Sequence, residues 1–277
     1  MKLDEKIIEV GTQAAREAGK LIKTMRDSGE FEVRYKGALD LVTTADLKAD
    51  ALISEQILKA FPDHKILSEE SAPNIEAIGD SLNGPLWIID PIDGTTNYAH
   101  GHQMTAVSIA FAYGGQVQFG VVEAPFMNET FIGVRGKGST LNGKPLKIRQ
   151  PAALNQMLVA TGFPYKRDSL STIIKRVEAI LLNCRDIRRL GACSLDVSWI
   201  AAGRIDAYYE DVKIWDIAAA GLIASEAGAK VGHILDLPKD LKIPPDFYAK
   251  NMLVAPPEMF GTLQELLRAA ENKTATT

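Results

Sequence analysis

Two aspartates with chemical potential, Asp90 and Asp93, stand in the run Trp87-Ile88-Ile89-Asp90-Pro91-Ile92-Asp93-Gly94-Thr95-Thr96. A short apolar strand that ends in two carboxylates, a glycine and two hydroxyl residues has the layout of a metal-phosphate site. Pro91 removes a ladder donor and stiffens the chain, so the strand is expected to stop near Asp90 and to send both acids from one edge of a sheet. Paired carboxylates on a rigid turn suit a hard divalent cation such as Mg²⁺, which takes oxygen ligands and keeps positions for water and phosphate. Gly94 permits close backbone approach, and Thr95 and Thr96 can open a helix whose free N–H groups face an anion. Taken alone, the same residues also fit an Asp-rich turn with a helix cap.

Four further acids stand where elements begin or end. Glu69 and Glu70 follow the β-like run Lys65-Ile66-Leu67-Ser68. Alternation along a strand lets one of them face a site while the other meets solvent or caps a neighbour. Asp46 opens a helical pattern, where a carboxylate favours the positive end of the dipole. Asp216 follows Trp215 at the start of an Ala-rich helix and reads by itself as an N-cap or first-turn acid. A capping carboxylate points off the helix end, so capping and metal ligation are compatible.

The elements that must position these acids follow from periodicity. Ile7, Ala14, Ala18, Leu21 and Met25 recur at helical spacing, and Leu47, Leu52, Ile53, Ile57 and Phe61 do so again, so two helices begin the chain. Thr105 to Ile148 changes to short β-rich runs broken by Gly114-Gly115 and Asn142-Gly143, which predicts an antiparallel meander. Beyond it, apolar runs at Met157–Ala160, Ile205–Tyr209 and Met252–Ala255 alternate with helical patterns at Leu170–Leu182, Ser194–Ala202, Trp215–Ala227 and Pro257–Ala270. Such alternation predicts a sheet covered by helices. The pattern change and Gln150-Pro151 divide the chain into an N-terminal α+β half, residues 1–150, and a C-terminal α/β half, residues 151–277.

Composition narrows the function classes. A chain of 277 residues with 46% hydrophobic content can bury a large core. A net charge of −4 and the lack of a basic run argue against a nucleic-acid partner. The absence of a long apolar stretch argues against a membrane span, and the start of the chain lacks a signal-peptide pattern, so a cytoplasmic protein is expected. Cys184 and Cys193 make neither a zinc spacing nor a disulfide framework and read as reduced thiols. Arg135-Gly136-Lys137-Gly138-Ser139 lacks the spacing of a phosphate loop and reads as a turn. His64, His100, His102 and His233 show no zinc-protease spacing and read as surface or loop residues.

Four separated segments carry a resemblance: Asp40-Leu41-Val42-Thr43-Thr44-Ala45-Asp46, Ser68-Glu69-Glu70-Ser71, the run around Asp90, and Trp215-Asp216-Ile217-Ala218-Ala219-Ala220-Gly221. In order and spacing they resemble the inositol monophosphatase family. That family lies within the Mg²⁺-dependent, lithium-sensitive sugar phosphatases that include fructose-1,6-bisphosphatases. The resemblance implies an α/β (α+β) fold, a layered α/β/α/β/α sandwich with the metal site between its halves. It implies two or three Mg²⁺ per site. Glu69, Asp90 and the Ile92 carbonyl would hold one cation, and Asp90, Asp93 and Asp216 a second. Thr95, hydrogen-bonded to Asp46, and Glu69 would orient the attacking water, with the Gly94 and Thr95 amides on phosphate oxygens. Lys36 matches a family lysine near the metals.

Substrate contacts are implied for Asp93, Asp216, Gly191, Ala192, Cys193 and Glu210. Cys193 stands where alanine is common, and Glu210 to Asp216 is one residue shorter than the commonest spacing. The implied activity is a phosphomonoesterase acting on a small phosphorylated polyol, with myo-inositol monophosphate the first choice. Fructose 1,6-bisphosphate and histidinol phosphate are the alternatives; Lys166, Arg167, Arg188 and Arg189 offer cations for a second phosphate. Family likeness further implies a homodimer.

Overall fold

The computed structural model describes residues 3–35, 41–75, 79, 82–163 and 170–272. Lys36, Asp40, Lys166 and Arg167 lie outside the described residues. Helix α1, Glu5–Ser28, starts at Asp4, whose side chain accepts from the Lys6 N–H, and stops at left-handed Gly29. The strands β1, Val33–Tyr35, and β2, Leu41–Thr43, pair antiparallel and lead into α2, Thr44–Ala60. Next come β3, Lys65–Ser68, β4, Leu86–Asp93, and the short helix α3, Thr95–Ala99.

The meander is formed by β5, Ala106–Tyr113, β6, Gln116–Ala124, β7, Glu129–Val134, β8, Gly138–Leu141, and β9, Lys144–Pro145. Its last hairpin turns at Asn142-Gly143, both at positive φ (49° and 78°), as the sequence predicts. Together β3 to β9 make one seven-stranded sheet in chain order, parallel only between β3 and β4. The rest of the chain supplies β10, Leu158–Thr161, α4, Leu170–Asn183, β11, Asp186–Arg188, α5, Cys193–Ala201, β12, Ala207–Glu210, α6, Ile214–Glu226, β13, Lys230–His233, β14, Met252–Ala255, and α7, Pro257–Asn272. Its strands form a five-stranded sheet ordered β11-β10-β12-β14-β13, parallel across the first three.

Three hydrophobic clusters separate five layers. The first packs α1 and α2 on one face of the seven-stranded sheet through residues such as Ile22, Ile53, Trp87 and Phe119. A second joins the opposite face to α5, α6 and the five-stranded sheet. The third closes that sheet's far face with Ile180 of α4 and Phe260, Leu263 and Leu267 of α7. This is the α/β/α/β/α sandwich that the resemblance implies.

The middle layer positions the chemistry, and two glycines let it approach. A Cβ at Gly120 of β6 would lie 2.7 Å from the Ala219 backbone, and one at Gly133 of β7 would lie 2.9 Å from Ile223 Cα. Helix α6 therefore rests its backbone directly on the sheet, with Ala218, Ala219 and Ala220 as its buried residues there. Gly120→Ala is expected to destabilise the fold by about 1–3 kcal/mol, the usual scale for overpacking a tight core. Urea unfolding checks this, and an unchanged midpoint would mean that α6 shifts freely.

Two expectations need correction. Strand β4 does not stop near Asp90 but runs to Asp93, with its register against β5 shifting between those residues. The shift absorbs Pro91, because a bulge asks no ladder hydrogen bond of the residue it sets aside. His64 is not a bare loop residue. Its ring stacks on Phe61, with centroids 4.6 Å apart, and its Nδ1 accepts from the Trp87 indole at 3.0 Å.

Candidate metal centre

Asp90, Asp93 and Asp216 come together at the junction of β4 with α6. One carboxylate oxygen from each lies within 4.8 Å of the other two. Asp90 and Asp93 are buried (2% and 7% exposed), whereas Asp216 is half-buried. Each acid is oriented by backbone donors. Asp90 Oδ1 accepts from the Ile92 N–H at 3.0 Å, inside the bulge. Asp93 reaches across to the start of α5, accepting from the Cys193 and Ser194 N–H groups at 3.2 and 2.6 Å and from the Ser194 hydroxyl. A carboxylate there also meets the positive end of the helix. Asp216 occupies the third position of α6 rather than its N-cap: Lys213 is the cap, and its N–H donates to Asp216 Oδ2 at 2.7 Å.

Crowding these acids away from water raises their affinity for protons. Burial is the main cause at Asp90, followed by the charges of Glu69, Asp93 and Asp216, and its pKa lies well above the ordinary range. Asp216 is raised in the same way by burial and by Asp93. Asp93 is pushed up to about 6 by burial, against the Ser194 and Cys193 hydrogen bonds that favour its charge. Clustered hard oxygen donors of this kind fit a divalent cation, whose charge removes the repulsion that otherwise invites protons.

Glu69 stands beside this trio rather than within it. Its N–H donates to the Ile89 carbonyl at 3.2 Å, and its charge raises Asp90 and Asp216. Glu70 is half-buried and adds to the charge felt by Asp46. Asp46 closes a full capping box on Thr43, accepting from its N–H and hydroxyl at 2.7 and 2.6 Å. Burial raises it to about 6. The Thr95 hydroxyl lies 3.3 Å from Asp46 Oδ1 and 3.1 Å from the Ile92 carbonyl.

Gly94 caps α3 at φ +89°, and a Cβ there would press on the Met104 carbonyl at 2.8 Å and the Gly191 carbonyl at 3.1 Å. Asn97, unremarkable in the sequence, ties this corner together by donating to the Met104 and Leu190 carbonyls at 2.7 and 2.8 Å. Gly191, Ala192 and Cys193 are thereby held beside the acids. The Cys193 thiol is pushed up by burial and by Asp216, Asp93 and Glu210, so it stays protonated and is no nucleophile. Glu210 receives a hydrogen bond from the Tyr208 hydroxyl and is raised by burial to about 7.

The other cations and loops sort themselves. Arg188 pairs with Asp186 at 2.7 Å, whereas Arg189 lies over the Phe163 ring and carries a charge that Glu210 and Asp196 feel. Gly136 and Gly138 donate to Glu226 of α6 at 2.9 and 2.8 Å, so the phosphate-loop-like turn is already filled by a carboxylate. Ser194, Asn97 and Tyr208 are the participants that sequence reasoning missed. Only the position of Ser194 at a helix start gives any signal.

A model of the inositol monophosphatase family matches residues 3–273. The chain belongs to the inositol monophosphatase family. Membership supports a phosphatase acting on a phosphorylated substrate, in a family generally dependent on metal. Inositol monophosphatase 1 of Solanum lycopersicum is 37% identical over 233 residues, covering 81% of this chain and 83% of that protein. A relative named Nus factor SuhB, from Pasteurella multocida, is 38% identical over 228 residues, covering 81% and 84%. Among solved structures, the IMPase of Thermotoga maritima superposes with a TM-score of 0.82 at 30% identity, over 96% of this chain and 98% of that one. No helix among the described residues is long and apolar enough to cross a membrane.

Proposed function

We propose that this protein is a Mg²⁺-dependent phosphomonoesterase whose first substrate is myo-inositol monophosphate. The observation that carries the reading is the meeting of Asp90, Asp93 and Asp216 within 4.8 Å where β4 meets α6. Asp90, Asp93 and Asp216 would hold one cation, and Asp90, Glu69 and the Ile92 carbonyl another. Bound there, divalent ions supply the positive charge that draws phosphate oxygens in and lowers the pKa of water.

The chain's own part is positioning. If Thr95 donates its single hydroxyl hydrogen to Asp46, its oxygen is left to accept from the attacking water and aim it at phosphorus. Asp46, raised to about 6, is ionised at neutral pH and keeps that hydroxyl turned. Glu69 accepts from the same water, and the Gly94 and Thr95 amides face the phosphate oxygens. Gly191, Ala192, Cys193 and Glu210 would line the polyol, Glu210 accepting its hydroxyls.

Arg189, exposed above Phe163 at the edge of this region, favours a second reading in which the substrate is fructose 1,6-bisphosphate. The experiment is kcat/KM for phosphate release from inositol monophosphates, fructose 1,6-bisphosphate, histidinol phosphate and adenosine 3′,5′-bisphosphate, with Mg²⁺ and with chelator. Inositol monophosphate should lead, and chelator should abolish release from every ester. Substantial turnover in excess chelator would sink the reading.

A further inference from the structure

Helix α2 carries two buried acids, Asp46 and Asp50, and the metal centre draws on only the first. They are 1% and 5% exposed and stand four residues apart. That spacing puts both on one face of the helix, in the buried stripe that continues through Ile53 and Ile57. Each meets a hydroxyl from another segment. Asp46 Oδ1 lies 3.3 Å from the Thr95 hydroxyl, and Asp50 Oδ1 accepts from the hydroxyl of Ser68, which is fully buried. An aliphatic side chain at Asp50 would fill the stripe without the cost of burying a polar group, so the pairing with Ser68 is what the acid contributes.

Ser68 is the foot of the turn that presents Glu69. It forms a bridge with Ala72, each donating its N–H to the other's carbonyl at 3.2 Å, and Glu69, Glu70 and Ser71 are held in the loop between them. The Glu69 N–H donates to the Ile89 carbonyl, which fixes the turn against the strand that carries Asp90. The Asp50–Ser68 hydrogen bond fixes the same turn to α2.

Resting on the phosphatase reading above, we infer that Asp50 is a positioning residue: through Ser68 it sets where Glu69 stands, as Asp46 sets the Thr95 hydroxyl. Both groups that orient the attacking water are then referred to one helix, on which the two acids are about 6 Å apart along the axis. A helix holds that interval rigidly, whereas the turn at Glu69 and the corner at Thr95 lie on separate segments. The interval matters because misplacing a reacting group by about 1 Å can cost about 10²-fold in rate.

The test removes the hydrogen bond from either end. For the ester that the wild-type enzyme turns over best, Asp50→Ala and Ser68→Ala should each lower kcat by about tenfold with KM little changed. Asp50→Asn keeps an oxygen for the Ser68 hydroxyl and should retain most of the activity. The double variant Asp50→Ala/Ser68→Ala, which leaves neither group buried without its partner, should lose no more than either single one and carries the test if Asp50→Ala fails to fold. Hydrogen exchange of the metal-free protein reads the same effect without turnover. The Glu69 and Ala72 amides should exchange about tenfold faster in the variants, with the Tyr98 amide of α3, bonded to the Gly94 carbonyl, unaltered. Unchanged kcat in the variants, single losses that multiply in the double variant, or equal loss of protection at Tyr98 overturns the positioning role alone. No Mg²⁺-dependent phosphate release by the wild type from any ester overturns the phosphatase reading and this inference with it.

Discussion

Asp216→Asn is expected to lower kcat by about three orders of magnitude, with Mg²⁺ affinity falling alongside, while the melting temperature of the metal-free protein rises. The size follows from the several kcal/mol that cation charge contributes to a phosphoryl-transfer transition state, at about 1.4 kcal/mol per decade. Asparagine keeps an oxygen for the Lys213 N–H, so the start of α6 survives and only the charge is lost. Relief of repulsion with Asp90 and Asp93 accounts for the gain in stability without metal. The same repulsion gives a pH signature. Folded pKa values raised above their unfolded ones contribute stability at low pH that is lost as pH rises through the folded values. For Asp46 and Asp93, at about 6, metal-free stability should therefore fall between about pH 4 and 7, with added Mg²⁺ reducing the slope. Unchanged turnover and Mg²⁺ activation in Asp216→Asn would reduce the residue to a helix-start acid.

Thr95→Ala is expected to lower kcat by about 10²–10³, the scale for one preorganised polar contact, with Mg²⁺ affinity largely kept. The contrast with Asp216→Asn is the point, since one variant removes charge and the other removes orientation. Thr95→Ser should recover most of the loss, because it returns a hydroxyl to the place between Asp46 and the Ile92 carbonyl. Near-normal kcat in Thr95→Ala would leave its hydroxyl as packing alone.

The elements themselves were legible because each is written in local pattern. The helical faces of α1 and α2, the hairpin at Asn142-Gly143 and the later alternation of strand and helix all emerge where the sequence predicts them. Asp90 and Asp93 were also legible as a pair, since they share one short segment. The end of β4 was misjudged because proline forbids a ladder donor but not a bulge, and whether a partner strand can shift register depends on β5.

Asp216 could be read as an acid at a helix start, but nothing local brings it to Asp90. That meeting depends on α6 lying flush against β6 and β7, which the missing side chains of Gly120 and Gly133 permit. Likewise Asp93 is held by Ser194, Asn97 binds the Leu190 carbonyl, and Asp46 feels the charge of Glu70 only because packing brings distant segments together. Sequence by itself determined the inventory of acids and the periodicities, while the layers followed only from the family resemblance. Tertiary structure decided which acids crowd together and what holds them. Periodicity reports how a residue sits on its own element, whereas the raised proton affinities arise from charges brought together by packing.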